Sequence, residues 1–198
     1  FSRALAISNA SNELIAVMDS DDICVQDRFE HQIAEFSIAG TDLIGGWIEE
    51  FDVSPGDQGF IRKTPISYED IYRAGKWRNP VNHVTLMFKE SSYNKIGGYL
   101  ELLANEDWEM ISRMLANGLN IRNVPKVLVH VRGGADMVER RRSSRQFWGE
   151  IKAFKLMHKS NYLSFAQYLR NVALYSSIRI LPISFTVYLY RNILRINL

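Results

Sequence analysis

The feature that most constrains the fold is a short apolar run that ends abruptly in a cluster of acids. Residues 13–18 read Glu-Leu-Ile-Ala-Val-Met, and residues 19–22 read Asp-Ser-Asp-Asp. The length of the run and its β-branched content favour a buried strand over a helix. In open α/β sheets, ligands bind at the carboxyl ends of such strands. The sequence therefore predicts an α/β domain with a ligand site at residues 19–22.

The remaining pattern alternates strands and helices as far as residue 131, which is typical of α/β architecture. It predicts helices over residues 2–10, 27–39, 67–75 and 106–117, and strands over residues 42–51, 59–63, 81–88 and 119–131. Pro125 is expected at a bulge or a sheet edge, because proline cannot donate to a ladder. From about residue 138 onward the pattern is helical, with interruptions near Asn161 and Pro182.

Charge is distributed unevenly along the 198 residues. Residues 1–120 hold 10 basic and 19 acidic side chains, a net charge of −9, whereas residues 121–198 hold 14 basic and 3 acidic, a net charge of +11. The basic part predicts an anionic partner, either nucleic acid or a membrane surface. The apolar content of 46% excludes a disordered chain, and the single cysteine, Cys24, excludes a disulfide scaffold and favours a reducing compartment.

Three carboxylates, on Asp19, Asp21 and Asp22, follow the first strand within four residues. Such carboxylates repel one another unless a positive charge lies between them. Mg²⁺ or Mn²⁺ prefers hard oxygen ligands and would join these side chains to the oxygens of a phosphate or diphosphate. The alternative is a solvated acidic turn that caps the next helix through Asp22 or Asp27. An EF-hand loop is excluded, because Cys24 stands where that loop requires glycine.

This acidic segment and four later motifs resemble, in the same order, family 2 glycosyltransferases with the GT-A fold. The five motifs are residues 13–32, Asn79-Pro80 with His83, Gly97-Gly98-Tyr99 with Glu106-Asp107-Trp108, residues 129–133 with Asp136 and Arg140, and residues 180–195. The resemblance covers nearly the whole chain. It implies a mixed, Rossmann-like sheet flanked by helices, incomplete at the N-terminus, with a C-terminal helical tail.

The same resemblance implies the domain organisation. Residues 1–135 are expected to form the C-terminal portion of the catalytic domain, and residues 136–198 a basic, amphipathic helical tail. The strand and loop that hold the nucleobase in this family are expected to precede Phe1. This chain alone is therefore expected to bind the nucleotide poorly.

The activity implied by the resemblance is inverting transfer of one sugar from a nucleotide-diphosphate sugar, with a UDP-sugar favoured, to an acceptor hydroxyl in bacterial surface polysaccharide synthesis. Asp19 and Asp21 match the family's Asp-x-Asp element, which implies Mn²⁺ or Mg²⁺ as the cofactor, and Asp22 is expected to join them in binding the donor. Residues 146–149 depart from the Gln-x-x-Arg-Trp motif of processive synthases. This departure favours the addition of a single sugar.

The segment Glu106-Asp107-Trp108 matches the family's catalytic segment, with Asp107 at the position of the general base. By itself the segment also suits the first turn of a helix, where acids are common. Glu106 is the neighbouring acid that could be confused with the base, and it is expected to contact the acceptor. Trp108 is expected either to stack on an acceptor sugar or to fill the core.

Two further positions are candidates for ligand contacts. The resemblance places His83 near the acceptor or the diphosphate, although a lone histidine among apolar residues is more often part of the core. His130 or Arg132 could close over the phosphates from the last strand. Arg132 suits this role better, because its planar guanidinium matches phosphate geometry. The alternative for Arg132 is a surface arginine paired with an acid.

Residues 160–198 contain four arginines and no acidic side chain. The longest uncharged stretch, residues 180–190, is too short for a bilayer span of about 20 residues, so an amphipathic helix in the membrane interface fits better. Arg140-Arg141-Arg142 would add attraction to anionic lipids. The expected location is therefore cytoplasmic, peripheral on the inner face of the cell membrane. The family resemblance adds the expectation of a carbohydrate or lipid-linked acceptor at that surface. A helical pair packed on the catalytic domain, or a dimer interface, is the alternative.

Two other functions compete with this interpretation. A nucleotidyltransferase would use a similar sheet and acidic metal turn, but the Glu-Asp-Trp segment and the tail argue against it. A non-catalytic, membrane-associated scaffold would show no metal-dependent nucleotide binding. Nucleic acid is disfavoured as the partner, because no recognisable binding motif accompanies the basic charge.

Overall fold

A six-stranded mixed sheet organises the chain in the computed structural model, which describes residues 2–38, 40–133 and 144–180. The strands are β1 (Leu14–Ala16), β2 (Ile23–Cys24), β3 (Thr41–Phe51), β4 (Phe60–Arg62), β5 (Met87–Lys89) and β6 (Asn120–Arg132). The helices are α1 (Ser2–Ser8), α2 (Arg28–Phe36), α3 (Tyr68–Ala74), α4 (Glu90–Lys95), α5 (Glu106–Ala116), α6 (Ser144–Lys159) and α7 (Phe165–Ile180). A short 3₁₀ turn, His83–Thr85, precedes β5.

The sheet is built around the two longest strands, β3 and β6, which run parallel. The strand order is β1-β5-β3-β6-β2, and β4 pairs with β3 outside this path. The pairs β1–β5, β3–β5, β3–β4 and β2–β6 are antiparallel, so the sheet is mixed as expected. The register skips from Val124 to Val127 opposite the neighbours Gly46 and Trp47, which confirms the predicted bulge at Pro125.

Helices cover the two faces of the sheet unequally. Alternate residues of a strand point to opposite faces, and accordingly Leu43 belongs to the larger core cluster and Ile44 to the smaller one. The larger cluster receives α5 through Met110 and Ile111 and receives α6 through Phe154. This packing fixes α5, and with it the Glu106-Asp107-Trp108 segment, against the sheet.

Residues 144–180 form a helical pair packed on that same cluster. Phe154 of α6 and Tyr175 of α7 both contact the ring of Trp108. The two helices are separated at Asn161, which has a positive φ of 61°, as the predicted interruption requires. The parts of the tail prediction that concern Pro182, residues 134–143 and residues 181–198 lie outside the described residues.

Three local expectations are corrected. β1 lies at the edge of the sheet and is half exposed, because only β5 pairs with it, so it is not a buried strand. The strand predicted over residues 81–88 is replaced by the 3₁₀ turn followed by β5. The third correction concerns α2. Apolar residues at helical spacing predict that its buried face includes Phe29, Ile33 and Phe36. Phe29 and Ile33 are exposed and Phe36 is only partly buried, whereas Arg28 and Gln32 are buried.

Hydrogen bonds explain the inverted orientation of α2. The Gln32 side chain donates to the carbonyl oxygens of Ile44 (3.2 Å) and Thr85 (2.8 Å). The Arg28 guanidinium donates to the carbonyl oxygen of Val17 at 2.9 Å and to the Gln32 side chain at 2.9 Å. Burial lowers the pKa of Arg28. The polar face thus satisfies backbone groups that would otherwise be buried without partners.

Candidate active site

The Asp107 carboxylate stands in the first turn of α5 and is held by the segment that precedes the 3₁₀ turn. Asn79 Nδ2 donates to Asp107 Oδ2 at 2.6 Å. His83 Nδ1 lies 3.6 Å from the same oxygen, which is too long for a direct hydrogen bond. The Asp107 side chain is 18% exposed, so its carboxylate remains accessible to a ligand. The structure therefore brings together two of the residues, Asp107 and His83, that the resemblance singled out.

The segment that carries Asn79 and His83 is fastened directly to the sheet at Gly46. Asn82 Nδ2 donates to the Gly46 carbonyl at 2.8 Å, and the Gly46 N–H donates to Thr85 Oγ1 at 3.0 Å. A β-carbon at the neighbouring Gly45 would come within 2.2 Å of the Val81 side chain. Glycine is therefore required here, because the segment crosses β3 in direct contact with its backbone.

Several buried polar groups around Asp107 have no hydrogen-bond partner among the described residues. They are both ring nitrogens of His83, the Tyr99 hydroxyl and Asn105 Nδ2. The ring of Tyr99 lies 6.4 Å from that of His83, and Asn105 precedes α5 in a left-handed conformation with a φ of 56°. Buried polar groups are normally paired. This local concentration is typical of a site that binds a polar ligand.

Tyr99 is held in a protonated state that can donate a hydrogen bond. Burial raises the pKa of Tyr99, and the negative charge of Asp107 raises it further. Its backbone N–H donates to the Tyr93 hydroxyl at 3.0 Å, which fixes the start of the loop leading to α5. In the sequence, Tyr99 was noted only within the motif Gly97-Gly98-Tyr99 that accompanies Glu106-Asp107-Trp108, and no role was predicted for its side chain.

The acidic turn between β1 and β2 is tied to the end of β6. The Arg132 backbone N–H donates to Asp22 Oδ1 at 3.0 Å. Burial raises the pKa of Asp22, the charges of Asp21 and Asp19 act in the same direction, and the bond from Arg132 opposes them. Asp22 is therefore engaged with β6. The cap considered as the alternative is not formed through Asp27, which stands at the N-cap of α2 without a side-chain capping bond.

Arg3 of α1 connects the acidic turn with the Glu106-Asp107-Trp108 segment. Its Nη1 donates to Glu106 Oε1 at 2.7 Å, and its Nη2 lies 3.6 Å from Asp19 Oδ1. One guanidinium thus places two acidic motifs, far apart in sequence, in a single site. Arg3 was not predicted from the sequence. Its only local signal is a basic charge in an acidic part of the chain.

Trp108 is part of the core, which corrects the alternative of an acceptor contact. Its side chain is only 2% exposed, and its Nε1 donates to the Gly75 carbonyl at 2.8 Å. The rings of Phe154 and Tyr175 pack against it. Trp108 therefore anchors α5 in the hydrophobic core, while Asp107 faces the candidate site.

Neither side chain proposed to close over phosphates contacts the acidic turn. The Arg132 guanidinium lies over the ring of Phe51 at 4.8 Å and donates to the Asp52 carbonyl at 3.3 Å. His130 Nδ1 lies 2.6 Å from the Glu49 carboxylate on the neighbouring strand. Arg132 nevertheless lies beside Asp22, because its backbone N–H is bonded to the Asp22 carboxylate. Its side chain is exposed there.

The described residues contain no group of three or more His, Cys, Asp or Glu side chains arranged to hold a metal ion. The carboxylates of Asp19 and Asp21 are hard oxygen ligands of the kind that Mg²⁺ and Mn²⁺ prefer, and Asp19 faces the Arg3 guanidinium. Within residues 2–38, 40–133 and 144–180, no helix is both long and apolar enough to cross a bilayer.

Comparison with known proteins places these features in a family. The model of glycosyl transferase family 2 matches residues 2–97. The chain is 34% identical over 191 residues to the Escherichia coli UDP-Gal:alpha-D-GlcNAc-diphosphoundecaprenol beta-1,3-galactosyltransferase, covering 96% of this chain and 69% of that protein. It is 29% identical over 187 residues to the amylovoran biosynthesis glycosyltransferase AmsE of Erwinia amylovora, covering 94% and 70%.

Solved structures share the fold. TarS 1-349 of S. aureus, in complex with UDP-GlcNAc, aligns with a TM-score of 0.58 at 15% identity, covering 87% of this chain and 50% of that one. A mannosyltransferase from Pyrobaculum calidifontis, in complex with GDP-Man and Mn²⁺, aligns with a TM-score of 0.51 at 14% identity, covering 95% and 57%. The chain spans about half the length of these structures.

The fold is thus that of GT-A glycosyltransferases, as predicted. The chain belongs to glycosyl transferase family 2, and its curated relatives are glycosyltransferases that include members of bacterial polysaccharide synthesis. This membership confirms the predicted family and enzyme class. It also shows that the nucleotidyltransferase alternative is wrong.

Proposed function

We propose that the protein is an inverting, metal-dependent glycosyltransferase that adds a single sugar from a UDP-sugar to a hydroxyl of a lipid-linked acceptor during bacterial surface polysaccharide synthesis. The observation that carries the proposal is the Asp107 carboxylate, held at 2.6 Å by Asn79 and surrounded by the unpaired polar groups of His83, Tyr99 and Asn105. A positioned carboxylate beside unpaired buried polar groups is what a proton acceptor for a sugar hydroxyl requires.

The reaction is a single displacement. Asp107 accepts the proton of the acceptor hydroxyl while the hydroxyl oxygen forms a bond to the anomeric carbon of the donor. The bond from that carbon to the diphosphate breaks at the same time, and its electron pair leaves with UDP. One displacement from the face opposite the leaving group inverts the anomeric configuration. His83 and Tyr99 are placed to orient the acceptor beside Asp107.

The donor diphosphate is assigned to the acidic turn. Asp19 and Asp21 would hold the divalent cation, which when bound neutralises charge on the leaving diphosphate. Arg132 lies next to this turn and can supply a guanidinium to the phosphates. Support for UDP comes from the donor in the name of the Escherichia coli relative and from the ligand in the TarS complex, and support for a metal comes from the Mn²⁺ of the mannosyltransferase.

The acceptor is assigned to the side of the site formed by Tyr99 and Asn105. The Escherichia coli relative is named for a diphosphoundecaprenol-linked acceptor, and residues 121–198 of this chain carry a net charge of +11. A chain segment with this charge is attracted to anionic lipid headgroups. We therefore place the protein on the inner face of the cell membrane, as a peripheral protein.

The role of Asp107 is tested with Asp107→Asn, which keeps the size of the side chain but cannot accept the proton. Transfer of labelled sugar from UDP-sugars to a lipid-linked acceptor should fall by about 10²–10⁴-fold, the usual contribution of a general base. The matched control is Asp70→Asn, which alters an exposed acid in the first turn of α3. Equal activity of Asp107→Asn and the wild type, at equal thermal stability, would refute the assignment.

The donor site is tested by calorimetric titration of the full-length protein with UDP, with and without Mn²⁺. Binding should depend on the metal and should be lost in Asp21→Asn. It should persist in Asp27→Asn, which alters an exposed acid of the adjoining segment that pairs with His31. The absence of nucleotide binding under all conditions would favour the non-catalytic scaffold instead.

A further inference from the structure

An exposed surface of aromatic, aliphatic and basic side chains lies beside the segment that carries Asn79. We call it the Trp77 surface; it consists of Trp77, Phe165, Leu169, Arg170 and Leu174. Trp77 is 54% exposed and Phe165 is 60% exposed. None of these residues contacts the catalytic carboxylate in the structure, and the proposed reaction does not use them.

The Trp77 surface is held rigidly from beneath. Trp108 donates to the carbonyl of Gly75, and the side chains of Arg170 and Asn171 both donate to the carbonyl of Lys76. The Arg170 guanidinium carbon also lies 3.2 Å from the centre of the Trp77 ring. Trp77 is therefore presented to the outside by a fixed backbone, and its exposure does not come from a loosely held loop.

The exposed face of α7 continues this surface. Phe165 and Leu169 are four residues apart and share one side of the helix. Arg170 and Leu174 share a different side, about 100–140° around the helix from Leu169, so the exposed residues span about half of its circumference. Residues 160–180 contain no acidic side chain. Large apolar groups thus surround a cation, whereas apolar residues on ordinary surfaces are scattered singly.

We propose that the Trp77 surface docks on a bilayer that contains anionic lipids. Tryptophan and arginine suit the boundary between headgroups and acyl chains, where the ring is partly apolar and the guanidinium meets phosphate. The net charge of +11 on residues 121–198 favours the same partner. A second copy of this chain fits less well, because a twofold interface at this surface would bring the two copies of Arg170 together.

Docking at this surface has a consequence for the active site. Asn79, which donates to Asp107, follows Trp77 by two residues, so a bilayer at Trp77 lies within a short loop of the proposed base. This consequence rests on one part of the proposed function, namely that the acceptor is linked to a lipid. Contact with the membrane would then present the acceptor sugar close to Asp107.

The test uses quenching of tryptophan fluorescence by brominated lipids in phosphatidylglycerol vesicles, with Trp77→Phe and Trp148→Phe as a matched pair. Trp148 lies on α6 and is 65% exposed, so it controls for exposure alone. Bromine quenches only tryptophans that enter the bilayer interface. Trp77→Phe should remove at least about half of the quenched signal, and Trp148→Phe should leave it nearly unchanged. Unchanged quenching in Trp77→Phe, or no quenching in the wild type, would overturn the inference.

Two further measurements separate the competing occupants. Leu169→Ser should weaken binding to phosphatidylglycerol vesicles about tenfold or more, and binding to neutral phosphatidylcholine vesicles should be weak throughout. Light scattering should show the same mass for the wild type and Leu169→Ser. A dimer that Leu169→Ser dissociates would assign the surface to a second copy.

Failure of this inference can be distinguished from failure of the proposed function. Trp77→Phe should retain sugar transfer to a soluble acceptor in the absence of vesicles. Loss of lipid quenching alongside retained transfer supports the inference. An unquenched wild type that still transfers sugar refutes only the membrane surface, whereas a wild type that is quenched but never transfers refutes only the proposed reaction.

Discussion

Replacing Trp108 by phenylalanine tests whether this residue supports the fold or contacts the acceptor. The substitution keeps an aromatic ring against Phe154 but removes the indole N–H that donates to the Gly75 carbonyl at 2.8 Å. A buried carbonyl left without its partner costs about 1–3 kcal/mol. The smaller ring also leaves a cavity, and the full truncation of a buried tryptophan to alanine costs about 3–5 kcal/mol. We therefore expect Trp108→Phe to lower the free energy of unfolding by about 2–3 kcal/mol.

Urea denaturation measures this change directly. With an m-value of about 2 kcal/mol/M, the midpoint should fall by about 1–1.5 M. The matched control, Trp148→Phe, removes an indole that is 65% exposed and should change the free energy of unfolding by no more than about 0.5 kcal/mol.

The kinetic measurement separates the two roles of Trp108. Because its ring lies beneath α5, the KM for the acceptor should stay within about twofold of the wild type at a temperature well below the unfolding transition. An unchanged urea midpoint together with a KM raised about tenfold would refute the core assignment, because it would mean that Trp108 contacts the acceptor sugar.

Three further predictions concern charged groups. Arg113→Ala should cost about 3–5 kcal/mol in urea denaturation, since it leaves the fully buried Glu109 carboxylate unpaired, whereas Arg73→Ala, in an exposed pair, should cost less than about 1 kcal/mol. Asp57 accepts hydrogen bonds from three backbone N–H groups in the β3–β4 turn, and these bonds lower its pKa. Asp57→Ala should therefore be less stable than the wild type at neutral pH. The difference in free energy of unfolding should disappear as the pH falls through the lowered pKa. The pKa of Asp22 is raised above 3.8, so its ionisation weakens the fold as the pH rises from 3.8 through the raised value, and Asp22→Asn should lack this decline in thermal melts.

The sequence predicted the elements whose signals are local. The bulge at Pro125 and α5 follow from the missing N–H of proline and from apolar spacing, and both are present. The periodicity of α2 identified which residues share a face but could not decide which face is buried. Arg28 and Gln32 turn inward because backbone carbonyls from distant segments need donors there. That need exists only once the chain has folded.

The candidate site shows the same division. Asp107 and His83 could be named in advance through the family resemblance, and the structure places them 3.6 Å apart. Arg3 could not, because its importance lies in a contact between segments that are remote in sequence. Tyr99 was part of a quoted motif, but its unpaired, buried hydroxyl became visible only in the structure. Trp108 had two interpretations that sequence alone leaves equal, and only its burial decides between them.

The close contact at Gly45 and Gly46 fixes the position of residues 79–85 relative to the central strand β3. Because Asn82 and Thr85 are bonded to Gly46, and Val81 leaves no room for a β-carbon at Gly45, residues 79–85 cannot shift without moving the sheet. Asn79 and His83, whose side chains face Asp107, therefore cannot be moved independently of each other by a shift of the backbone. The loop between Tyr99 and Asn105 packs on α6 instead, where Lys152 donates to the Glu101 carbonyl and Ala104 contacts Gly149. Under the proposed function, we therefore expect a change of acceptor preference to arise in this loop together with α6, and not in residues 79–85.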